Sequence, residues 1–170
     1  MKQVKPEQAL VHKYPEWVIL IVACAEDGTP NVMPAGWGMI CSGDPLLVAV
    51  AIAFDRHTHR CIEETGEFIF AWAGAHQARL VKHCGSTSGA EEDKFEALQI
   101  PTAPAAVLDL PLLAEAAINL ECNLRDRMKT GDHTIFVGEV VAAHLPDKPT
   151  ATLLNFGGKF ASGAPIDLPE

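Results

Sequence analysis

Apolar positions along the chain fall in short runs closed by turn residues. Trp17 to Ala25 (WVILIVACA) is rich in β-branched residues and stops at Glu26-Asp27-Gly28, which predicts a strand ending in a turn. Asn31 to Ser42 (NVMPAGWGMICS) predicts the returning strand, interrupted by Pro34, Gly36 and Gly38. Proline inside a strand implies an edge or a bulge, and glycine lets a backbone or a flat ligand come close. Gly43-Asp44-Pro45 then turns the chain into Leu46 to Phe54 (LLVAVAIAF), apolar on both faces and therefore predicted to be a central, buried strand.

The pattern next shortens into helices and strands in turn. His57 to Thr65 reads as a helix ended by Gly66, Glu67 to Ala73 as a strand, and Gln77 to His83 as a helix ending at Cys84-Gly85. Ser86 to Gly89 is a polar loop and Glu91 to Leu98 a further short helix. Prolines and small residues from Ile100 to Pro111 predict an irregular connection, followed by strands over Ala117 to Arg125 and Thr134 to His144. Many short strands with brief helices favour a mainly β barrel with inserted helices. A doubly wound α/β fold needs longer alternating helices.

Composition narrows the function classes. The 170 residues carry 13 basic and 22 acidic side chains, a formal net charge of −9. Such a balance argues against nucleic acid or an anionic membrane surface, both of which call for clustered Lys and Arg. No secretory signal and no apolar run of membrane-spanning length is visible. The five cysteines are scattered without a C-x-x-C pair, which fits a reduced cytoplasmic protein, with Cys24, Cys41 and Cys122 read as small core residues. The length fits one domain over residues 1–170, with a core at about 16–145.

Several familiar motifs fail letter by letter. Gly36-Trp37-Gly38 lacks the third glycine of a dinucleotide fingerprint, Gly85-Ser86-Thr87-Ser88-Gly89 has threonine at the nucleophile position, and His57 and His59 make no metal-binding spacing. Four segments remain. Asp27 to Gly38 (DGTPNVMPAGWG) reads either as an irregular edge facing a flat heteroaromatic ligand or as a bulged strand with Met33 and Trp37 in the core. Phe54 to Glu63 (FDRHTHRCIE) brings Arg56, His57 and Thr58 to a helix start, a natural phosphate seat or a plain N-cap. Ser88 to Phe95 supplies Lys94, and Gly131 to Glu139 (GDHTIFVGE) supplies His133 at a strand start.

In their order these strings resemble the flavin reductase-like FMN-binding split-barrel family, particularly its flavoredoxin branch. The matching segments are NVMPAGWG, RHT after LLVAVAIAF, TGEFIF, CGSTSG with DKF, and GDHTIFVGEV, spanning about Glu16 to Val141. The resemblance implies a six-stranded split β-barrel that forms a homodimer and holds non-covalent FMN near the subunit interface. It places Asn31 and Trp37 at the flavin ring with Val32, Met33 and Ala35 lining it, and the strand Ala49, Val50, Ala51 and Ile52 presenting main-chain groups. Arg56, His57 and Thr58 would take the phosphate, Lys94 would reach the ribityl-phosphate side, and Phe160 of GGKF would stack from a tail (146–170) that completes the site.

His133 would act as the catalytic residue beside the flavin or nicotinamide. The implied activity passes electrons from NADH or NADPH through FMN to a flavin, an iron chelate or a protein. The alternative is an FMN electron carrier that turns over no nicotinamide. Two departures stand out. Phe54 and Asp55 replace a Ser-Pro pair, so Asp55 is expected to face solvent. Trp72 is expected to shape the substrate pocket or fill the dimer interface.

Overall fold

A computed structural model describes residues 1–163. The predicted tail therefore lies partly outside the described residues. The elements run α1 (Pro6–Leu10), β1 (Glu16–Trp17), β2 (Ile19–Cys24), β3 (Pro30–Ala35), β4 (Gly38–Gly43), β5 (Leu46–Ala53), α2 (His57–Thr65), β6 (Glu67–Trp72), α3 (Ala78–Ser86) and α4 (Lys94–Leu98). They continue with β7 (Thr102–Pro104), β8 (Pro111–Leu113), β9 (Ile118–Thr130), β10 (His133–His144), β11 (Leu153–Asn155) and β12 (Phe160–Ser162). The fold is mainly β with short helices, and all the strand pairings are antiparallel. No helix among the described residues is long and apolar enough to cross a membrane.

β2 explains the WVILIVACA run, because it is buried on both faces. Ile19, Ile21 and Ala23 point into a core with Val50, Ile52, Ile62, Phe68, Phe70 and Phe136. Leu20, Val22 and Cys24 point the other way, into a second core with Ile69, Val81, Cys84, Leu112 and Leu153. A strand with apolar groups at every position has two faces to cover, and here each face has its own core. β6 divides in the same way, with Phe68 and Phe70 on one side and Ile69 and Ala71 on the other.

The main sheet has seven strands in the order β3-β2-β6-β9-β10-β5-β4. The predicted single strand Asn31 to Ser42 is thus two strands at opposite edges, joined only by Gly36 and Trp37. Counting them as one gives the expected six. Strands lie about 4.8 Å apart, so a flat seven-stranded sheet would separate its edges by about 29 Å. A two-residue link reaches only about 10 Å. The sheet must therefore curl until its edges meet, and it remains open along the seam where β3 and β4 form no ladder. Two contacts hold the curl: Ala51 N donates to Trp37 O at 2.8 Å, and a Cβ on Gly38 would stand 2.5 Å from Ile19 Cδ1 and 3.1 Å from Phe70 Cε2. A side chain there would displace the tip of Ile19 and crowd Phe70 and Ala49 O.

Several boundaries differ from the sequence reading. β5 is second from the edge rather than central, and near its end Ala51 and Ala53 are only partly covered. α3 continues to Ser86, and the helix expected from Glu91 begins at Lys94, because the Asp93 carboxylate caps Phe95 N and Glu96 N at 2.9 and 3.0 Å. Cys41 is exposed on edge strand β4 rather than in the core, whereas the other four thiols are buried. Burial pushes Cys61 up to about 11 and Cys122 up to about 12. Trp72 packs inside against Phe70, with ring centroids 4.9 Å apart, and does not shape a pocket.

The irregular stretch after Ile100 carries the short β7–β8 hairpin and is pinned by polar groups of β9. Glu121 is fully buried, and its carboxylate accepts the N–H groups of Ala106, Val107 and Leu108 at 2.7–2.9 Å and sits 2.6 Å from His144 Nε2. Burial opposes its charge, but these donors outweigh burial and hold the carboxyl below the ordinary glutamate value. The Asn119 side chain brackets Leu113 through both its N–H and its C=O at 3.0 Å. Replacing Glu121 by Ala orphans three amides, so Glu121→Ala is expected to cost about 3–5 kcal/mol in urea unfolding. An unchanged unfolding midpoint would show that the clasp contributes nothing.

Candidate functional site

The curl opens a cleft of about 1160 Å³ between the end of β3, the Gly36–Trp37 link, the end of β5, the start of α2, the loop after α3 and residues 10–16. This exceeds the roughly 300–1,000 Å³ typical of a single small-molecule pocket. Alanines at 51 and 53, within the apolar β5 run, leave the floor open, and Met33, Ala35 and Ile52 also line it.

One end is built on the start of α2. Arg56 occupies the N-cap position in extended backbone, where its carbonyl accepts His59 N–H at 3.0 Å and no side chain caps the His57 and Thr58 amides. Thr58 is buried and accepts the Asn31 Nδ2–H at 2.7 Å. Asn31 is itself buried, and its Oδ1 has no hydrogen-bond partner, an uncommon condition for a buried carboxamide. Gly89 presses on that oxygen so closely that any side chain would overlap it. Burial, then the neighbouring Arg60 and Lys94 charges, lower the His57 pKa. Lys94 is buried, and its ammonium donates to Val32 O at 2.9 Å and Cys84 O at 3.1 Å. Desolvation lowers its pKa. The Asp55 side chain is 76% exposed beside Arg56, as expected from the sequence.

The other end carries rings. Trp37 is half exposed, with its ring centroid 4.9 Å from that of His133. His133 opens β10 after the Gly131-Asp132 turn, where Gly131 takes φ +47°. Its Nδ1 lies 2.6 Å from Asp132 Oδ1, and this hydrogen bond holds the Asp132 carboxyl below the ordinary range. The two ends are joined beneath the cleft. His59 of α2 meets Thr134 of β10 through Nε2 at 2.8 Å, boxed by the rings of Phe54 and Phe136 at 5.6 and 5.0 Å.

The cleft thus gathers Asn31, Met33, Ala35, Trp37, Ala51, Ile52, Arg56, His57, Thr58, Lys94 and His133 from the sequence reading. Four residues lie elsewhere. Val32 and Val50 turn their side chains into the two cores, so only their main-chain groups, through which the resemblance has them meet the ring, can reach the cleft, and Ala49 pairs with Met39 and Val137 further down its strand. Phe160 pairs with Asn155 and packs on the Leu20–Leu153 core, and neither it nor the exposed Phe156 lines the cleft of this chain. Residues 10–16 were missed, since no hydrophobic period marks them. Among the described residues no group of three or more His, Cys, Asp or Glu converges as a metal site.

Burial is the main cause that lowers the His59 pKa below the ordinary 6.5, opposed by Glu63 and aided by Lys129 and Arg127. A histidine kept neutral by the fold binds fewer protons than in the unfolded chain. Its stabilisation is therefore present above about pH 6.5 and is lost as pH falls below it. Unfolding measured from pH 7 to pH 5 is expected to show this loss, and His59→Gln is expected to flatten the slope. An identical slope in both proteins would contradict the neutral brace.

A flavin nucleotide suits these groups: a helix start without a side-chain cap beside Arg56 for a phosphate, an orphaned carboxamide oxygen to accept from a ring edge, and apolar walls for a flat ring. The flavin reductase like domain model matches residues 11–164. A protein of Archaeoglobus fulgidus is 39% identical over 132 residues, 78% of this chain and 73% of that one. The NADH:riboflavin 5'-phosphate oxidoreductase of Streptomyces pristinaespiralis is 28% identical over 89% of this chain and 82% of its own. Among solved structures, the FMN-binding protein of Thermus thermophilus with bound 1-cyclohex-2-enone superposes with a TM-score of 0.86 at 28% identity, covering 100% of this chain and 98% of that one. The flavoredoxin of Methanosarcina acetivorans shares the fold at a TM-score of 0.86 and 22% identity, over 99% of this chain and 94% of that one. With the match covering nearly the whole length, the chain belongs to the flavin reductase like domain family.

Proposed function

We propose that the cleft holds non-covalent FMN and that the protein passes electrons from reduced nicotinamide to a flavin, an iron chelate or a protein acceptor. The observation that carries this reading is the Asn31–Thr58 pair at the uncapped start of α2, where a buried carboxamide oxygen lacks a partner inside a cleft of nucleotide size. Bound FMN would supply the hydride and electron chemistry. The chain supplies binding and orientation. The α2 amides, Arg56 and Thr58 hold a phosphate against the helix dipole, while Trp37, Met33 and Ala35 confine a flat ring.

Asp132 fixes the proton of His133 on Nδ1 and leaves Nε2 free to accept a hydrogen bond or hold a proton at the ring end. Lys94, already committed to two backbone carbonyls, acts chiefly by keeping β3 and the end of α3 in place and adds its charge to the cleft. Edge strand β4 exposes Met39 at 56% and Ile40 at 59%, and an unpaired apolar edge of this kind supports assembly as a homodimer. A monomeric mass by light scattering would contradict that assembly.

Anaerobic mixing of the FMN-loaded protein with NADH and with NADPH is expected to bleach the flavin absorbance rapidly with one donor. His133→Ala is expected to slow that step at least 10-fold while leaving FMN affinity within about 2-fold. Thr58→Ala is expected to weaken FMN binding by about 1–3 kcal/mol. Protein that only dithionite can reduce would overturn the nicotinamide step in favour of an electron carrier. FMN affinity unchanged in Thr58→Ala would overturn the phosphate seat.

A further inference from the structure

The first turn of α2 holds two buried polar side chains in succession, Thr58 and His59. Consecutive residues of a helix point about 100° apart, so the two reach different parts of the sheet. Thr58 accepts from Asn31 on β3, and His59 Nε2 lies 2.8 Å from Thr134 Oγ1 on β10. Three strands, β2, β6 and β9, separate β3 from β10 in the sheet. The other ring nitrogen looks toward β9: His59 Nδ1 is 3.7 Å from Glu63 Oε2, and Glu63 Oε1 is 3.6 Å from Arg127 Nη1. Phe54, Thr58 and His133 line the cleft, while His59 stays beneath them.

Burial alone does not ask for a polar pair here. The rings of Phe54 and Phe136 stand 5.6 and 5.0 Å from the imidazole. Two aliphatic side chains of similar shape would fill that space at little cost, because burial has no direction. A hydrogen bond does have one, and it fixes both distance and angle. The hydroxyl it uses sits on a β-branched residue with a stiff χ1, and so marks a fixed point on β10.

That point is next to His133, the first residue of β10 after the Gly131-Asp132 turn. Side chains alternate along a strand, so Thr134 is directed to the interior and His133 to the cleft. The end of a ladder opens more readily than its middle. Here two bonds from residues 54–59 hold it: His59 on Thr134, and the Phe54 N–H on Asp132 O at 3.2 Å.

We propose that the His59–Thr134 hydrogen bond is the positioning device for His133. It fixes the end of β10 against the start of α2, so that His133 and the helix start keep one separation across the cleft. The proposal rests on the flavin reading above and gives that site a positioning residue, His59, that acts without touching the flavin.

The double variant His59→Leu/Thr134→Val removes the bond and leaves an apolar pair between Phe54 and Phe136. It is expected to keep a cooperative unfolding transition. In flavin-free protein, amide hydrogen exchange over residues 131–134 is expected to run at least 5-fold faster than in the wild type, with exchange over β2 unchanged. In FMN-loaded protein, the limiting rate of flavin bleaching by the nicotinamide that reduces the wild type is expected to fall at least 5-fold. The nicotinamide concentration giving half that rate is expected to change less than 2-fold. His59→Gln, which keeps a polar atom for Thr134, is expected to stay within 2-fold of the wild type in both measurements. Should the double variant lose its unfolding transition, Thr134→Val alone is read in its place. Wild-type protein that takes up no FMN, or that nicotinamide does not bleach, overturns the reading above and the role of the pair with it. With wild-type bleaching established, unchanged exchange over 131–134, an unchanged limiting rate, or a His59→Gln protein as slow as the double variant overturns the positioning role alone.

Discussion

Two residues join the opposite edges of a seven-stranded sheet, and the rest of the structure follows from that connection. Because Gly36 and Trp37 cannot span a flat sheet, β3 and β4 must be brought together by curling everything between them. Curling places Ile19 and Phe70 against the missing side chain of Gly38 and sets Trp37 O on Ala51 N. It encloses the core of Phe68, Phe70 and Phe136 on the inside and leaves β2 to be covered outside by α3 and the stretch after Ile100. The cleft forms beside the link, between β3 and the end of β5.

The same geometry converts distant sequence into a site with two chemical characters. Asn31 on one edge strand meets Thr58 at the helix that leaves β5, so a strand edge and a helix start share one carboxamide. His59, one residue on, reaches under the cleft to Thr134, the neighbour of His133. The phosphate-type end and the ring-type end therefore stand on one hydrogen-bonded frame, with the neutral imidazole of His59 between apolar rings. A charge on that imidazole would disturb both ends together, which ties the integrity of the site to the protonation state of one buried residue.

Much of this was legible in the chain. Period and turn residues located β2, β5, α2 and β6 to within a residue or two, because each is set by local patterning and bounded by glycine, proline or aspartate. The residues of the RHT and GDH strings line the cleft because helix starts and tight turns fix direction locally. What was not legible depends on long-range closure. Nothing in NVMPAGWGMICS says that its halves lie on opposite edges, although Pro34 and the two glycines mark where the break falls. Alternation along each strand, invisible until register is known, turned the Val32 and Val50 side chains away from the cleft. Residues 10–16 carry no period at all, and only their seating on Gly36 and Asn155 places them at its mouth.

If the start of α2 is a phosphate seat, the phosphate must account for a large part of flavin affinity. Calorimetric titration of the flavin-free protein with FMN and with riboflavin, which share the ring and differ by the phosphate, tests this directly. The account predicts FMN binding at least 100-fold tighter than riboflavin, with the difference shrinking as salt is raised. Equal affinities for the two would contradict it and would move the anion-binding role away from Arg56, His57 and Thr58.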